Sequence, residues 1–487
     1  MLFNSWGYLL FLLLVVPLHW SLGGPRLRLW LLVAASIGFY SMWRWEFSLL
    51  VLFSACVDYV AAGRIAASES PGIRRRWLAA SLGVNLGLLV AFKYTYFIYD
   101  NVRLLASAGG TDLPALQDLG LRIVLPLGIS FYTFQTISYT IDVYRRVIPP
   151  TRSLVSFLCY VTFWPQLIAG PVLRAGEVIP QLEARRIFRA RDLWLGFGLV
   201  VVGLFKKVVL ADGLAPMVDD AFARDPADLN ALDVWVAAFL FGFQIYFDFS
   251  GYSDVAIGSA RMLGLVFPRN FDWPYLATSP REFWTRWHIS LSSWIRDYLY
   301  APLTGRPFHT RSVGGIGEAT RSDPSRRHTA LLLTWFIMGL WHGAAWTFAV
   351  WGLYHAALIL LYRAVPVLAA FPERRPRLAW MLLLPLTMAG WIPFRAQSLE
   401  QALTLMGHLI DPRAYRIAGH AVPLGAYLWA GIVLAAMLAI HAILRRDHRS
   451  PFPAWARSVA ATAATAVMVC AILVCLRAAK QFIYFQF

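Results

Sequence analysis

Charge and cysteine are what this 487-residue sequence has least of. Asp, Glu, Lys and Arg together make up 15% of it, against 59% hydrophobic residues and a mean hydropathy of +0.56. A water-soluble fold has no way to cover that much apolar surface, so soluble architectures are excluded. The four cysteines, Cys56, Cys159, Cys470 and Cys475, lie in apolar segments and form no CxxC pair. They read as small packing residues; neither a disulfide framework nor a metal centre is expected. No soluble stretch is long enough for a nucleic-acid module, so the formal net charge of +17 does not point to nucleic acid. No solenoid repeat and no convincing inverted repeat is visible, which lowers a secondary-transporter reading without removing it. The opening MLFNSWGYLLFLLLVVPLHW lacks a basic stretch ahead of its apolar run and an A-x-A site. It reads as a first span rather than a cleaved signal peptide.

What is present is apolar length. Runs suited to ~30 Å of hydrocarbon recur along the whole chain. They fall near 5–20, 28–43, 47–63, 77–99, 123–141, 193–211, 232–250, 330–348, 350–365, 378–396, 425–444 and 456–477. Two further stretches, 154–170 and 252–303, are broken by Pro, Gly and charge and read as re-entrant or interfacial. Such backbone survives at membrane depth only inside protein or around a water-filled cavity, which implies a tunnel or funnel. The expected fold is an all-α integral membrane protein of about 11–13 transmembrane helices, one polytopic domain over 1–487. Within it, 1–120 holds N-terminal spans, 123–365 the motif-bearing core, and 378–487 the C-terminal spans and tail.

The net charge is explained by loops. Arginines cluster at Arg64, Arg74, Arg75 and Arg76, at Arg145 and Arg146, and at Arg185, Arg186, Arg189 and Arg191. Further clusters are Arg306, Arg311, Arg321, Arg326 and Arg327, then Arg374, Arg375 and Arg377, then Arg445 and Arg446. Placed in the cytoplasm they give a consistent alternation, with Asp100, Asp112, Asp118, Asp219, Asp220, Asp225 and Asp228 outside. Both termini then fall outside, although Arg477 and Lys480 oppose this at the C-terminus.

Four constellations stand out. The segment PREFWTRWHISLSSWIRDYLYAPL, 280–303, mixes aromatics with charge; Glu282 and Arg286 are spaced for an ion pair. An interfacial amphipathic helix accounts for most of it, with His288 among Trp284, Trp287 and Trp294 as the exception. In WFIMGLWHGAAWTFAVWGLYH, His342 follows an uninterrupted apolar run from Leu331. An ionisable group at that depth is costly and marks function by default. A core histidine bonded to a carbonyl is an equal reading. Gly339, Gly343, Ala344 and Ala345 leave room for a ligand or a neighbouring helix, and His355 carries less weight. The third cluster, FQIYFDFSGYSDVAIG, holds Asp248 and Asp254, whose candidate partners are Lys206 and Lys207; a structural network is favoured there. The fourth is the terminal FIYFQF, 482–487, readable as an interfacial anchor.

Together these segments resemble the membrane-bound O-acyltransferase superfamily, and within it the bacterial branch that O-acetylates alginate. The strings are LPLGISFYTFQTISYTIDVYR, FWPQLIAGPVLR, GLFKKVVLAD, FQIYFDFSGYSDVAIG, SPREFWTRWHISLSSWIRDYLYAPL and GLWHGAAWTFAVWGLYH, in that order from about residue 123. The resemblance implies a bundle around a central tunnel. It implies acetyl-CoA as a cytoplasmic donor substrate, with no bound cofactor. His342 matches the histidine at the family's reaction centre and His288 its second polar residue. Trp341, Trp287, Arg286, Ser292, Asp254 and Asp248 become supporting or tunnel residues. The teichoic-acid D-alanylation relatives use a partner peptide ending in F-x-Y-x-x-F, proposed to carry the acyl group on its tyrosine. Phe482, Tyr484 and Phe487 reproduce that spacing in this chain. The implied function is an acetyl relay across a bacterial inner membrane to an exported or envelope polysaccharide. No Ser-His-Asp esterase motif is visible, so an exported SGNH-type partner is expected to finish the transfer. The chemistry agrees: moving an acetyl group from thioester to hydroxyl needs a base, and histidine is the usual one near neutral pH. The competing reading is a transporter or flippase using intramembrane His and Asp.

Overall fold

A computed structural model of the chain describes residues 2–167, 170–305, 324–416, 419–445, 454–476 and 482–483. Of the sequence-predicted features, Arg306, Arg311, Arg321, Arg446, Arg477, Lys480, Tyr484 and Phe487 lie outside the described residues. The described residues form helices and short turns, with no strand. Among the described residues, six helices are both long and apolar enough to cross a membrane. They are Trp45–Ala66, Pro71–Ala108, Ala190–Ala223, Ala231–Met262, Trp346–Ala364 and Pro376–Arg395. Trp6–Ser21, Leu424–Ile440 and Ala460–Cys475 are shorter apolar helices. The other expected spans fall on helices that are shorter or more polar: Pro25–Ser41, Ile129–Tyr144 and Pro324–His342. Ile129–Tyr144 is buried at nearly every position, including Ser130, Thr133, Gln135, Thr136, Ser138 and Thr140, so protein and not lipid surrounds it. Elsewhere Leu13, Leu105, Val367 and Ile410 stand largely exposed. Each forgoes ~1.5–3 kcal/mol of burial in water, a loss that hydrocarbon surroundings remove. The fold is that of an all-α integral membrane protein.

The chain packs as two compact units, Met1–Leu199 with Ala256–Pro268, and Val200–Val255 with Arg269–Phe487. In the first, Trp45–Ala66, Pro71–Leu89 and Ile129–Tyr144 close around Asp58, which is fully buried. Ser81 Oγ donates to its carboxylate at 2.5 Å and Asn85 Nδ2 at 3.0 and 2.9 Å. Ser54 and Thr136 donate in turn to Asn85 Oδ1 at 2.8 and 3.0 Å. In the second unit, Pro324–His342 and Trp346–Ala364 meet backbone to backbone. A Cβ added to Gly352 would lie 2.1 Å from Trp335 O, and one added to Gly339 2.2 Å from Phe348 O. Small residues permit that approach, so a neighbouring helix and not a ligand fills the room Gly339 leaves.

Two boundaries differ from the sequence reading. The stretch after residue 250 is not re-entrant at once, because Ala231–Met262 continues through it as a 32-residue helix. Its polar residues do not break the helix because they are buried or paired, as Asp254 is with Lys206 at 2.7 Å. Conversely, the span expected over 330–348 ends early. The helix stops at His342, residues 343–345 turn, and a new helix begins at Trp346. A Cβ at Gly343 would sit 2.1 Å from the Phe348 ring, so the turn needs glycine there. His342 is thus a helix-terminal residue and not a mid-helix one.

Candidate active site

The segment after Arg269 explains how a histidine is placed deep in the second unit without a long helix to carry it. Ser279 caps Pro280–Arg286 by accepting from Glu282 N at 3.2 Å, and Pro280 suits the first turn. Glu282 pairs with Arg286 at 2.8 Å, as its spacing predicts. The helix ends there, and His288 joins it to Ile289–Ile295 with φ 43° and ψ 55°. Left-handed backbone is uncommon for a residue other than glycine, and such strain gathers at functional sites.

Asn270 holds the imidazole. Its Oδ1 accepts from Ser290 N at 3.2 Å and Ser290 Oγ at 2.8 Å, while its Nδ2 donates to Ser253 Oγ at 3.1 Å. The backbone N–H fixes which amide atom is the oxygen. His288 Nδ1, 3.2 Å from that oxygen, must therefore carry the proton in the neutral ring. Nε2 is left with the lone pair, the form a proton acceptor needs. The ring is buried and meets Phe249 edge-on at 4.5 Å.

His342 ends Pro324–His342 and is buried among Trp341 at 4.9 Å, Trp351 at 4.9 Å and Phe394 at 5.4 Å. A helix C-terminus carries partial negative charge, which favours an imidazolium as it forms. A line of ring contacts joins the two histidines. His288 stacks on Phe271, which meets Trp287 at 5.1 Å; Trp287 lies 4.9 Å from Trp391, and Trp391 lies 6.1 Å from Trp351 beside His342. His355 belongs to the same aromatic body, between Trp284 and Trp351 at 5.0 Å each, with its Nε2 buried and without a hydrogen-bond partner among the described residues. Sequence reasoning gave His355 little weight; the available signal was its i+4 spacing from Trp351 on one helix face. Asn270 was missed altogether, because nothing in the sequence distinguishes it from a loop asparagine.

The third constellation and the tail come together. Lys206 and Lys207 lie in the π-helical turn Phe205–Ala211, a local widening often met at functional positions. Lys207 bridges Asp248 at 2.5 Å and Asp212 at 2.9 Å. Asp248 also accepts from the backbone N–H of Ile483 at 3.0 Å. Phe482 is fully buried between Tyr252 at 4.5 Å and Phe249 at 5.3 Å. Phe249 thus touches both His288 and the tail. This seat, and not a membrane interface, is what anchors residues 482 and 483. The other supporting residues make these contacts. Arg286 donates to Glu282 and to Asp272 O at 3.2 Å, Asp254 pairs with Lys206, and Ser292 Oγ donates to Trp287 O at 3.2 Å.

A family model described as MBOAT, membrane-bound O-acyltransferase family, matches residues 143–386. The chain is 41% identical over 409 residues to the "Probable alginate O-acetylase AlgI" of Azotobacter vinelandii, covering 82% of this chain and 76% of that protein. It is 34% identical over 411 residues to the "Peptidoglycan O-acetyltransferase" of Helicobacter pylori, covering 79% and 73%. It is 28% identical over 247 residues to the "Teichoic acid D-alanyltransferase" of Bacillus subtilis, covering 48% and 58%.

Proposed function

This chain belongs to the membrane-bound O-acyltransferase family, and we propose that it takes an acetyl group from cytoplasmic acetyl-CoA and relays it across a bacterial inner membrane to an exported polysaccharide. It is a multi-pass membrane O-acyltransferase. The relatives' names, an alginate O-acetylase and a peptidoglycan O-acetyltransferase, support acetyl as the group moved and an envelope carbohydrate as its destination. One observation carries the relay: Phe249 packs on His288 and on Phe482, so residue 482 is seated against the aromatic body that holds the histidines. The next residue but one is Tyr484.

In this reading His342 is the general base and His288, through Nε2, orients the attacking hydroxyl. The phenol of Tyr484 gives its proton to imidazole, and its oxygen attacks the thioester carbonyl. The tetrahedral intermediate collapses, the C–S bond breaks, and the imidazolium returns the proton to sulfur. The products are the CoA thiol and an O-acetyl-tyrosine. In the second transfer a hydroxyl of an exported SGNH-type partner attacks that ester, and its proton ends on Tyr484. The partner then acetylates the polysaccharide.

The test is His342→Ala, which abolishes polysaccharide O-acetylation at unchanged protein level; acetylation that persists in the variant overturns the assignment. The tail's share is read by intact-mass spectrometry after incubation with labelled acetyl-CoA. Label present on wild type and absent from Tyr484→Phe supports the shuttle, and equal labelling rejects it.

A further inference from the structure

The first unit gathers positive charge with no carboxylate paired to it among the described residues. The turn after Trp6–Ser21 meets the stretch 184–188 around a cavity of about 220 Å3, lined by Gly23, Pro25, Arg28, Arg185, Arg186 and Phe188. Arg28 is fixed in place. Its Nε donates to Leu22 O at 2.9 Å, its Nη1 to Arg186 O at 2.9 Å, and its guanidinium lies 4.9 Å from the centre of the Trp20 ring. Trp20 is itself held, by a 2.9 Å bond from Nε1 to Met262 O and an edge-on contact with Phe188 at 5.5 Å. The Nη1 of Arg186 is buried and has no hydrogen-bond partner among the described residues. His19, fully buried in the preceding helix, lies within electrostatic reach of both Arg28 and Arg186, and neither of its ring nitrogens has a partner among those residues. Among the described residues no carboxylate pairs with Arg28, Arg185 or Arg186; Asp192 is taken by Arg261 at 2.7 Å.

A buried guanidinium N–H without an acceptor is costly, and like charges held together add to the cost. No described residue supplies the compensating anion, which leaves a ligand from outside to supply it. We infer that this cavity binds a phosphate group, presented by the headgroup of an anionic phospholipid. Planar guanidinium forks match phosphate oxygens. The rim supplies the rest of the chemistry, since Leu27 and Ile187 are 58% and 71% exposed beside the cavity and offer apolar surface to acyl chains. The positive-inside rule puts both arginine-bearing loops in the cytoplasm, the face where basic pockets between helices take anionic headgroups. The other phosphate bearer on that face is the CoA of the proposed donor, so the test separates the two.

Full-length protein purified into zwitterionic nanodiscs is titrated separately with phosphatidylglycerol and with CoA, and retained ligand is read by native mass spectrometry. Wild type retains phosphatidylglycerol. Arg186→Gln lowers that retention at least tenfold, exposed Arg185→Gln by a smaller factor, and Arg186→Lys keeps part of it. A melting curve like that of wild type confirms that the variants fold; Arg185→Gln, at an exposed position, keeps the test open if Arg186→Gln does not. CoA retention that falls in the variants while lipid retention holds assigns the phosphate to CoA and overturns the lipid. Unchanged retention of both ligands overturns the site.

Discussion

Asp58 and Asp248 both sit fully buried in helices apolar enough to cross a membrane, yet the protein satisfies them by opposite means. Asp58 is surrounded by neutral donors, Ser81 and Asn85 of one helix, themselves braced by Ser54, Thr136 and Thr140 from two others. No ion pairs with it among the described residues. Asp248 is ionic: one oxygen faces Lys207, which it shares with Asp212, and the other accepts from the backbone of the C-terminal tail. A closed neutral network is the mark of helix packing. An ion pair that spends one oxygen on the backbone N–H of Ile483, 235 residues away, is the mark of a docking point. The comparison assigns structure to the first and tail placement to the second.

The largest effect that can break this contrast is at Lys207. Lys207→Met leaves Asp248 and Asp212 without their common cation, in a site where Lys207 and Asp248 are 3% and 1% exposed. Removing one partner of a buried pair costs ~3–5 kcal/mol. The expected outcome is a markedly lower melting temperature in detergent, partly restored in the double variant Lys207→Met with Asp248→Asn. Wild-type melting in the single variant would mean that the pair contributes nothing and that the contrast is false.

The next effect isolates the tail. Asp248→Asn keeps the shape but removes the charge that accepts from Ile483 N–H. Exchanging a charged acceptor, worth ~1.5–3 kcal/mol, for a neutral one, worth ~0.5–1.5, costs ~1–1.5 kcal/mol, or roughly tenfold in the population with the Ile483 amide released. Hydrogen exchange at the Ile483 amide reads this directly, and the variant should exchange there faster by that factor. Equal rates would leave Phe482, packed on Tyr252 and Phe249, as the whole of the seat.

The two networks also differ in how legible they were. Lys206 and Lys207 were candidate partners for Asp254 and Asp248 from sequence, because two carboxylates in an apolar run need partners and GLFKKVVLAD offers two cations. The helical class and the family were legible for a similar reason: apolar length and an ordered set of motifs are properties of the string itself. The aromatic site was legible only in part. His342 was singled out as a candidate by its depth, but its place at a helix end depends on Phe348 folding over Gly343, a contact that no local pattern records. Asn270 orients His288 through bonds to Ser253 and Ser290, 17 and 20 residues away, and only the fold brings these together. The Asp58 network was invisible because its donors are spread over three helices and each looks like an isolated polar residue.

Asp58→Asn is the smallest change and the one that bears most directly on the structural side of the contrast. The remaining amide oxygen can still accept from Ser81 Oγ, while the new N–H2 faces Asn85 Nδ2, which lies 2.9 Å from the original Oδ2. One acceptor becomes a donor, so one hydrogen bond is lost, worth about 1 kcal/mol net. No counter-ion among the described residues is stranded by losing the charge, unlike Lys207 at the other site. The expected result is a slightly lower melting temperature with the rate of O-acetylation unchanged. If the variant melts like wild type but has lost acetylation, the charge on Asp58 serves the reaction, and the assignment of neutral networks to packing and ionic ones to docking fails at the residue from which it was drawn.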